Sequence, residues 1–148
     1  MLSIAHGPSG AFIAAKIPNP LISLPLCIAA HFIEDFIPHW DVGTGLSKKK
    51  KSKKAALIQE LIFDLPLSLV IVFLFFQLNQ PFNWKIWAGW FFALLPDFIE
   101  FPRLFLRFDP WPMNLINNFH KTVHHSIPNV VRGLIPQIIL IILLFVFR

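Results

Sequence analysis

Charged residues are scarce in this chain, and cysteine is nearly absent. Charged residues make up 14% of its 148 residues, against roughly 25% in soluble domains. The single cysteine, Cys27, has no partner for an intrachain disulfide. This count excludes a disulfide-stabilised scaffold and a metal site built from several thiolates.

Apolar residues dominate what remains. They make up 55% of the sequence, including 17 phenylalanines, and the mean hydropathy is +0.63. A chain of this length is one domain, and membrane helices of about 20 residues each would use nearly all of it. We therefore predict a single integral membrane domain covering residues 1–148.

The apolar residues fall into runs separated by prolines and polar turns. Pro18 and Pro20 separate the first two runs, which predicts a helical hairpin. The first run would be only about 18 Å long as a helix, so spanning, re-entrant and peripheral placements all remain open for it. The sequence predicts an all-α bundle of four or five transmembrane or re-entrant helices at about residues 4–15, 21–36, 55–78, 84–101 and 130–147, with a basic loop at 42–54.

The positive charge of the chain has a local origin. Six of the thirteen lysine and arginine residues lie between Lys48 and Lys54. Basic loops next to apolar runs face the cytoplasm by the positive-inside rule, which orients this loop and the connection from Arg103 to Arg132. We predict contacts of Lys48 to Lys54 with anionic lipid headgroups of the bilayer. Nucleic acid is not an expected partner, since its binding needs basic residues spread over a face.

Histidines and carboxylates cluster at one end of these runs. His31 and Asp35 lie one helical turn apart. Pro38 limits continuation of this helix, so His39 and Asp41 can project from the turn that follows. Ionisable groups near a membrane are expensive and by default indicate a functional site. The alternative interpretation is a set of polar residues that only solvate a helix end.

Later runs add to this cluster. Glu60 and Asp64 repeat the one-turn spacing, and Asp64 would lie about 15 Å beyond Lys54 along a helix. At that depth a carboxylate needs a cation or a histidine to stay ionised. Histidine and carboxylate donors suit zinc, manganese or another divalent ion.

Two further motifs carry a family resemblance. Leu95-Pro96-Asp97 matches the start of an L-P-D-x-D-H element, and residues 120–126 match an H-R-G-x-T-H-S element at His120, His125 and Ser126. At these residues the chain resembles the predicted membrane-bound metal-dependent hydrolases of bacterial and archaeal inner membranes. It departs from their pattern at Ile99, Glu100, Lys121, Thr122 and His124.

The resemblance implies a divalent metal site, zinc or manganese, at the cytoplasmic face of a prokaryotic inner membrane. The implied metal ligands are His31, Asp35, His39, Asp41, Asp64, Asp97, His120 and His125. Metal-assisted hydrolysis also needs a proton acceptor and an anion-binding group, for which we predict Glu60 or Glu34 and Lys121. The location at headgroup level favours a membrane-associated phosphoester as substrate.

Two other classes of function remain open from the sequence. A non-catalytic membrane scaffold would keep the motif residues as relics or helix caps. A divalent metal transporter would instead carry polar groups through the membrane midplane. This chain concentrates such groups at one end, which favours the hydrolase over the transporter.

Overall fold

The computed structural model describes residues 1–46 and 51–148, and all of their regular elements are helices. The predicted all-α class is therefore confirmed for this part of the chain. Residues 47–50, which include three lysines of the predicted basic loop, lie outside the described residues. In chain order the helices are α1 (Ser3–Lys16), α2 (Pro20–Phe36), α3 (Lys53–Gln77), α4 (Trp84–Leu106), α5 (Met113–Val123) and α6 (Val130–Phe147).

The first two helices form the hairpin that the prolines predict. α1 ends at Lys16 and α2 begins at Pro20, where proline needs no backbone donor. The side chain of Asn19 accepts a hydrogen bond of 3.0 Å from the amide of Leu21 and caps α2. The turn therefore returns α2 alongside α1, and the two helices pack together.

α3 is one continuous helix with two π-helical turns. The first turn, Glu60–Asp64, comes just before Pro66, and the second, Phe73–Gln77, ends the helix. Proline cannot donate to the carbonyl of the preceding turn, so a local change of hydrogen bonding is expected there. Such π turns are rare and concentrate at functional sites.

Two helices of the described residues are long and apolar enough to cross a membrane. They are α3 and α6, with mean hydropathies of 2.1 and 2.5 over their most apolar stretches. α1 and α2 are shorter, at 14 and 17 residues. α4 is long enough, but it carries the charged residues Lys85, Asp97, Glu100 and Arg103. The bundle of four or five spans stays a prediction.

α1 lies at the centre of the fold and packs against α2, α3, α4 and α6. Its closest neighbour is α4, because Gly10 and Gly89 face each other. A Cβ atom on Gly10 would lie 2.2 Å from the carbonyl oxygen of Gly89, and one on Gly89 would lie 2.4 Å from that of Gly10. The backbones touch here, and only glycine leaves the space. The Cys27 thiol, also buried, donates to the Gly10 carbonyl, which agrees with a packing role.

Polarity is distributed inside out compared with a soluble protein. The large apolar side chains of Leu21, Phe63 and Val131 are 85%, 64% and 72% exposed. Fully buried side chains include His6 and His31, each with 0% exposure. Soluble proteins rarely expose wide apolar surfaces or bury ionisable groups without partners. The fold thus encloses a polar centre within an apolar surface.

Replacing Gly10 by valine should destabilise the protein. The added side chain would push α1 from the Gly89 carbonyl, and overpacking of this kind costs about 1–3 kcal/mol. Thermal unfolding of the purified protein in detergent measures the effect. Ala29→Val, at an exposed position of α2, is the control and should leave the melting temperature unchanged. Equal melting temperatures of the two variants would contradict the close approach.

Candidate metal centre

Two loop segments bring the histidines together. The amide of His39, just after α2, donates to the carbonyl of His125 at 3.1 Å, and the amide of Ile127 donates to the carbonyl of His39 at 2.7 Å. The amide of His125 also donates to the carbonyl of Asp35 at 3.0 Å. The two segments therefore run side by side as a short parallel bridge, and His39 faces His124 across it.

α6 supports this bridge from behind. The amide of Trp40 donates to the carbonyl of Gly133 at 3.2 Å, and the Gln137 side chain donates to the carbonyl of Trp40 at 2.7 Å. The oxygen of the same Gln137 side chain accepts from the amide of Leu2 at 2.8 Å. Gln137 is fully buried, and all the other residues of the helix from Leu134 to Phe147 are apolar. Its amide therefore fixes both the loop after α2 and the start of α1.

One group of converging side chains consists of His31, Asp35, Asp97 and His120, whose donor atoms all lie within 4.8 Å of one another. Nε2 of His31 lies 3.4 Å from Oδ2 of Asp35, 3.3 Å from Nε2 of His120 and 3.7 Å from Oδ1 of Asp97. Nε2 of His120 lies 2.6 Å from Oδ2 of Asp35. Three helices, α2, α4 and α5, supply these residues.

A second group consists of Asp35, His39 and His124. Nε2 of His39 lies 3.0 Å from Nε2 of His124 and 3.5 Å from Oδ1 of Asp35. Oδ2 of Asp41 lies beside both rings, 3.3 Å from His39 and 3.1 Å from His124. Asp35 belongs to both groups, and its two oxygens face different histidines. It is therefore placed to bridge two adjacent sites.

Backbone contacts fix the protonation of two of these rings. Nδ1 of His31 lies 2.7 Å from the carbonyl oxygen of Ala93, and Nδ1 of His39 lies 2.8 Å from that of Ile37. A carbonyl oxygen only accepts, so Nδ1 must carry the proton, and a neutral ring then presents Nε2 as a lone pair. Both Nε2 atoms face oxygens of Asp35. Metal-binding histidines are held in this way by a hydrogen bond from the other nitrogen.

Two further observations agree with a divalent ion: an unsatisfied buried oxygen and the spacing of the donor atoms. Oδ2 of Asp41 is buried and has no hydrogen-bond partner among the described residues, and such an oxygen is costly to leave unsatisfied. Donors at about 2.0–2.1 Å from a tetrahedral ion lie roughly 3.3–3.4 Å apart, which matches the separations around His31 and His39. The residues present can therefore hold a metal ion.

Charge at the site favours cations. Burial opposes ionisation of Asp41, yet the imidazoles of His124 and His39 hold the pKa of its carboxyl below the ordinary value. Burial likewise opposes the charged form of His120, yet Asp35 and Glu100 raise its pKa to about 10. A proton and a divalent ion therefore compete for Nε2 of His120.

Two of the predicted ligands lie elsewhere. Oδ2 and Oδ1 of Asp64 accept from the amides of Ser3 and Ile4 at 2.8 and 3.1 Å. This carboxylate accepts from the free backbone amides at the start of α1 and interacts favourably with the positive end of the helix dipole. His125 is exposed, and its Nδ1 donates to the carbonyl of Val123 at 2.7 Å. Neither residue belongs to the two converging groups.

The three predicted catalytic residues occupy different surroundings. Glu34 is buried against His6, with Oε2 at 2.6 Å from Nδ1 of that ring. Glu60 accepts a hydrogen bond of 2.7 Å from the Ser3 hydroxyl and lines a cavity beside the metal-binding groups. Lys121 is exposed on α5. Of the three, Glu60 is thus the one that borders this cavity.

Two histidines of the centre escape sequence reasoning. His124 precedes His125 in an extended segment, where neighbouring side chains point to opposite sides, and the motif alone does not decide which of the two lies inward. His6 stacks on His31 with ring centroids 4.0 Å apart, and its Nε2 lies 3.1 Å from Oδ1 of Asp35. The amino group of Met1 contacts the same Asp35 oxygen. The sequence signal for His6 was its position as an isolated histidine among the small residues of α1.

Comparisons with known proteins gave no match to this chain among family models, curated proteins or solved structures. The resemblance to membrane-bound metal-dependent hydrolases therefore stays a prediction. What the centre does has to be inferred from its own geometry and chemistry.

The neighbouring histidines of the bridge provide a direct test of the geometry. His124→Ala should lower the affinity for zinc by about 10- to 100-fold or more, since changes even to the partners of metal ligands have effects of that size. His125→Ala, one residue away, should bind zinc as the native chain does. Titration of the detergent-purified proteins with zinc, followed by calorimetry, measures both. Loss of affinity in His125→Ala alone would contradict the placement of these rings.

Proposed function

We propose that this protein is an integral membrane hydrolase that uses divalent metal, with zinc or manganese as the ions expected, and acts on a membrane-associated phosphoester. The observation that carries the proposal is the position of Asp35, whose two oxygens are shared between two groups of histidines and carboxylates. Two-metal sites with centres about 3.5–4 Å apart are recurrent in phosphoester hydrolysis.

The membrane location is supported by the surface. α3 and α6 have the length and hydropathy of spanning helices, and the exposed apolar residues of α2 continue the same surface. Lys51, on the described part of the basic loop, donates to the carbonyl of Val42 at 2.8 Å, and Val42 lines the cavity beside the metal-binding groups. The basic loop and the candidate site thus share one end of the molecule. By the positive-inside rule, we propose that this end faces the cytoplasm, and the family resemblance suggests a prokaryotic inner membrane.

The residues divide the chemical work between binding and proton transfer. His31 and His39 are held as lone-pair donors by the carbonyls of Ala93 and Ile37. With these residues holding it, a divalent ion would supply a bound water with a pKa near about 7 and polarisation of a phosphoryl oxygen. Glu60, which lines the cavity together with Asp41, is the proton acceptor in this proposal. The Ser3 hydroxyl orients its carboxylate.

A non-catalytic scaffold is the second candidate, and one contact favours it. Nε2 of His120 lies 2.6 Å from Oδ2 of Asp35, so a protonated imidazole would compensate the buried carboxylate without a metal ion. Nε2 of His124 lies within hydrogen-bond distance of both His39 and Asp41, and a neutral ring donates one proton from it. The scaffold therefore leaves one of these two acceptors and the lone pair of His31 without a donor, whereas a bound ion would occupy them.

Elemental analysis of detergent-purified protein, combined with a phosphoester hydrolysis assay, tests the proposal. The native chain should carry near-stoichiometric divalent metal, and Asp35→Asn should lose metal and reduce hydrolysis by at least about 100-fold, because both groups lose their shared ligand. Asp109→Asn is the matched control, since that carboxylate contacts Asn117 and belongs to neither group. It should keep both metal and activity.

The possible outcomes separate the two candidates. Absence of bound metal in native protein, even after incubation with zinc and manganese, would overturn the hydrolase and favour the scaffold. Bound metal that Asp35→Asn retains would show that the ion sits elsewhere. Metal binding without turnover of any phosphoester or lipid phosphate would reject the activity while keeping the metal site.

A further inference from the structure

A cavity of about 490 Å³ opens between α3 and α4 beside the metal-binding groups. At one end it is lined by Asp41, Asp97 and His124, which are residues of the candidate metal centre and its edge. Its volume lies in the range of about 300–1,000 Å³ that is usual for small-molecule sites. The cavity therefore connects directly to the place where the chemistry is proposed.

The rest of the lining contains the polar residues Ser3, Glu60, Glu100 and Ser126, and its other side chains are apolar. α3 contributes Leu61 and Leu65, and α4 contributes Phe98, Phe101 and Phe105. Leu61 is 48% exposed, so the apolar wall reaches the outer surface. That surface belongs to α3, one of the two helices suited to cross a membrane. The cavity is thus polar toward the metal-binding groups and apolar toward the surface that lipid would cover.

Lysines lie near the same cavity. Lys51 donates to Val42, and Lys53 donates to the carbonyl of Leu104, and both of these acceptor residues line the cavity. An amphiphile with an anionic head would meet cations at the edge and an apolar wall beyond it. A small water-soluble phosphoester would leave the apolar wall uncovered.

We infer that this cavity binds the hydrocarbon tail of a lipid phosphate while the phosphate group lies against Asp41, Asp97 and His124 with their bound ion. The inference rests on the proposed function and specifies the substrate class of that same site. Each methylene that a short-chain lipid phosphate transfers from water into the cavity should raise the affinity about three- to fourfold, so binding of water-soluble short-chain substrates should increase with chain length. The tail lies between α3 and α4.

A second cavity of about 350 Å³ lies between α2, α4 and α5, with Ile28, Phe32 and Phe119 among its lining residues. All of its lining side chains are apolar, so it offers no group that would hold a phosphate. Of these two cavities, the one between α3 and α4 combines an apolar wall with groups that can hold a metal ion.

Photolabelling tests the tail site directly. Metal-loaded protein in lipid nanodiscs is illuminated with a phosphatidic acid that carries a diazirine on its acyl chain, and the adducts are mapped by mass spectrometry. Labels should concentrate on the segments around Leu65 and Phe101. Leu65→Trp should reduce this labelling by about tenfold, because the indole occupies the space that the acyl chain needs and further insertion overpacks the site.

Leu67→Trp is the matched control, because Leu67 lies on the same helix but is 49% exposed and does not line the cavity. It should label as the native chain does. Equal labelling of the two variants would overturn the inference. If Leu65→Trp does not fold, Leu61→Trp replaces it, since Leu61 lines the mouth of the cavity with space outside it.

A second assay keeps the inference separate from the proposed function. Metal content and hydrolysis of p-nitrophenyl phosphate, which has no tail, report on the metal centre alone. Under the inference, Leu65→Trp keeps both but loses the preference for long-chain substrates. Intact hydrolysis of p-nitrophenyl phosphate without any dependence on chain length would overturn the tail site and leave the hydrolase standing. Labelling that Leu65→Trp blocks, in a protein without metal or turnover, would support the tail site and reject the hydrolase.

Discussion

The carboxylate of Asp35 is the group on which the rest of the structure depends. It is fully buried, and a buried carboxylate is costly unless it is compensated by charge and hydrogen bonds. Five histidines from different parts of the chain approach it. They are His6 on α1, His31 on α2, His39 in the loop after α2, His120 on α5 and His124 just after α5. The ends of these elements therefore converge at one point. The parallel bridge at His39 and the amide contacts of Gln137 hold the loops in this convergence.

The position of α1 explains how so many polar groups fit inside a small helical fold. Glycine at positions 10 and 89 lets α1 lie directly on α4, which brings His6 next to His31. A central helix leaves its first amides away from solvent, and those donors need acceptors. Asp64 supplies them from the π-helical turn of α3. The depth of Asp64, which suggested a metal ligand in the sequence, is thus explained by a helix N-terminus instead.

The spacing of residues along the chain predicted the features that depend on local backbone geometry. His31 and Asp35 share a helix face because they are four residues apart, and the prolines around Asn19 mark the hairpin. Tertiary contacts decided the remainder. Which of His124 and His125 points inward depends on how the segment pairs with residue 39, and no periodicity contains that information. His6 joins the centre only because α1 is central, a position that its short length did not predict. Lys121, matched to a family arginine, lies on the exposed side of α5.

The protonation of the centre is the final constraint on what it can do. Asp35, Asp41 and Asp97 bring three carboxylates to a small volume, while His31 and His39 have committed their Nδ1 protons to backbone carbonyls. Keeping these carboxylates ionised in apolar surroundings requires compensating positive charge. The Met1 ammonium and protonated rings can supply one charge each, and a proton between two facing Nε2 atoms would make an N–H···N hydrogen bond at 3.0 or 3.3 Å. A divalent ion would bring two charges to one of the two groups and bind the lone pairs there. The arrangement of donors can therefore hold either protons or a divalent ion, beside a cavity that opens toward the apolar surface.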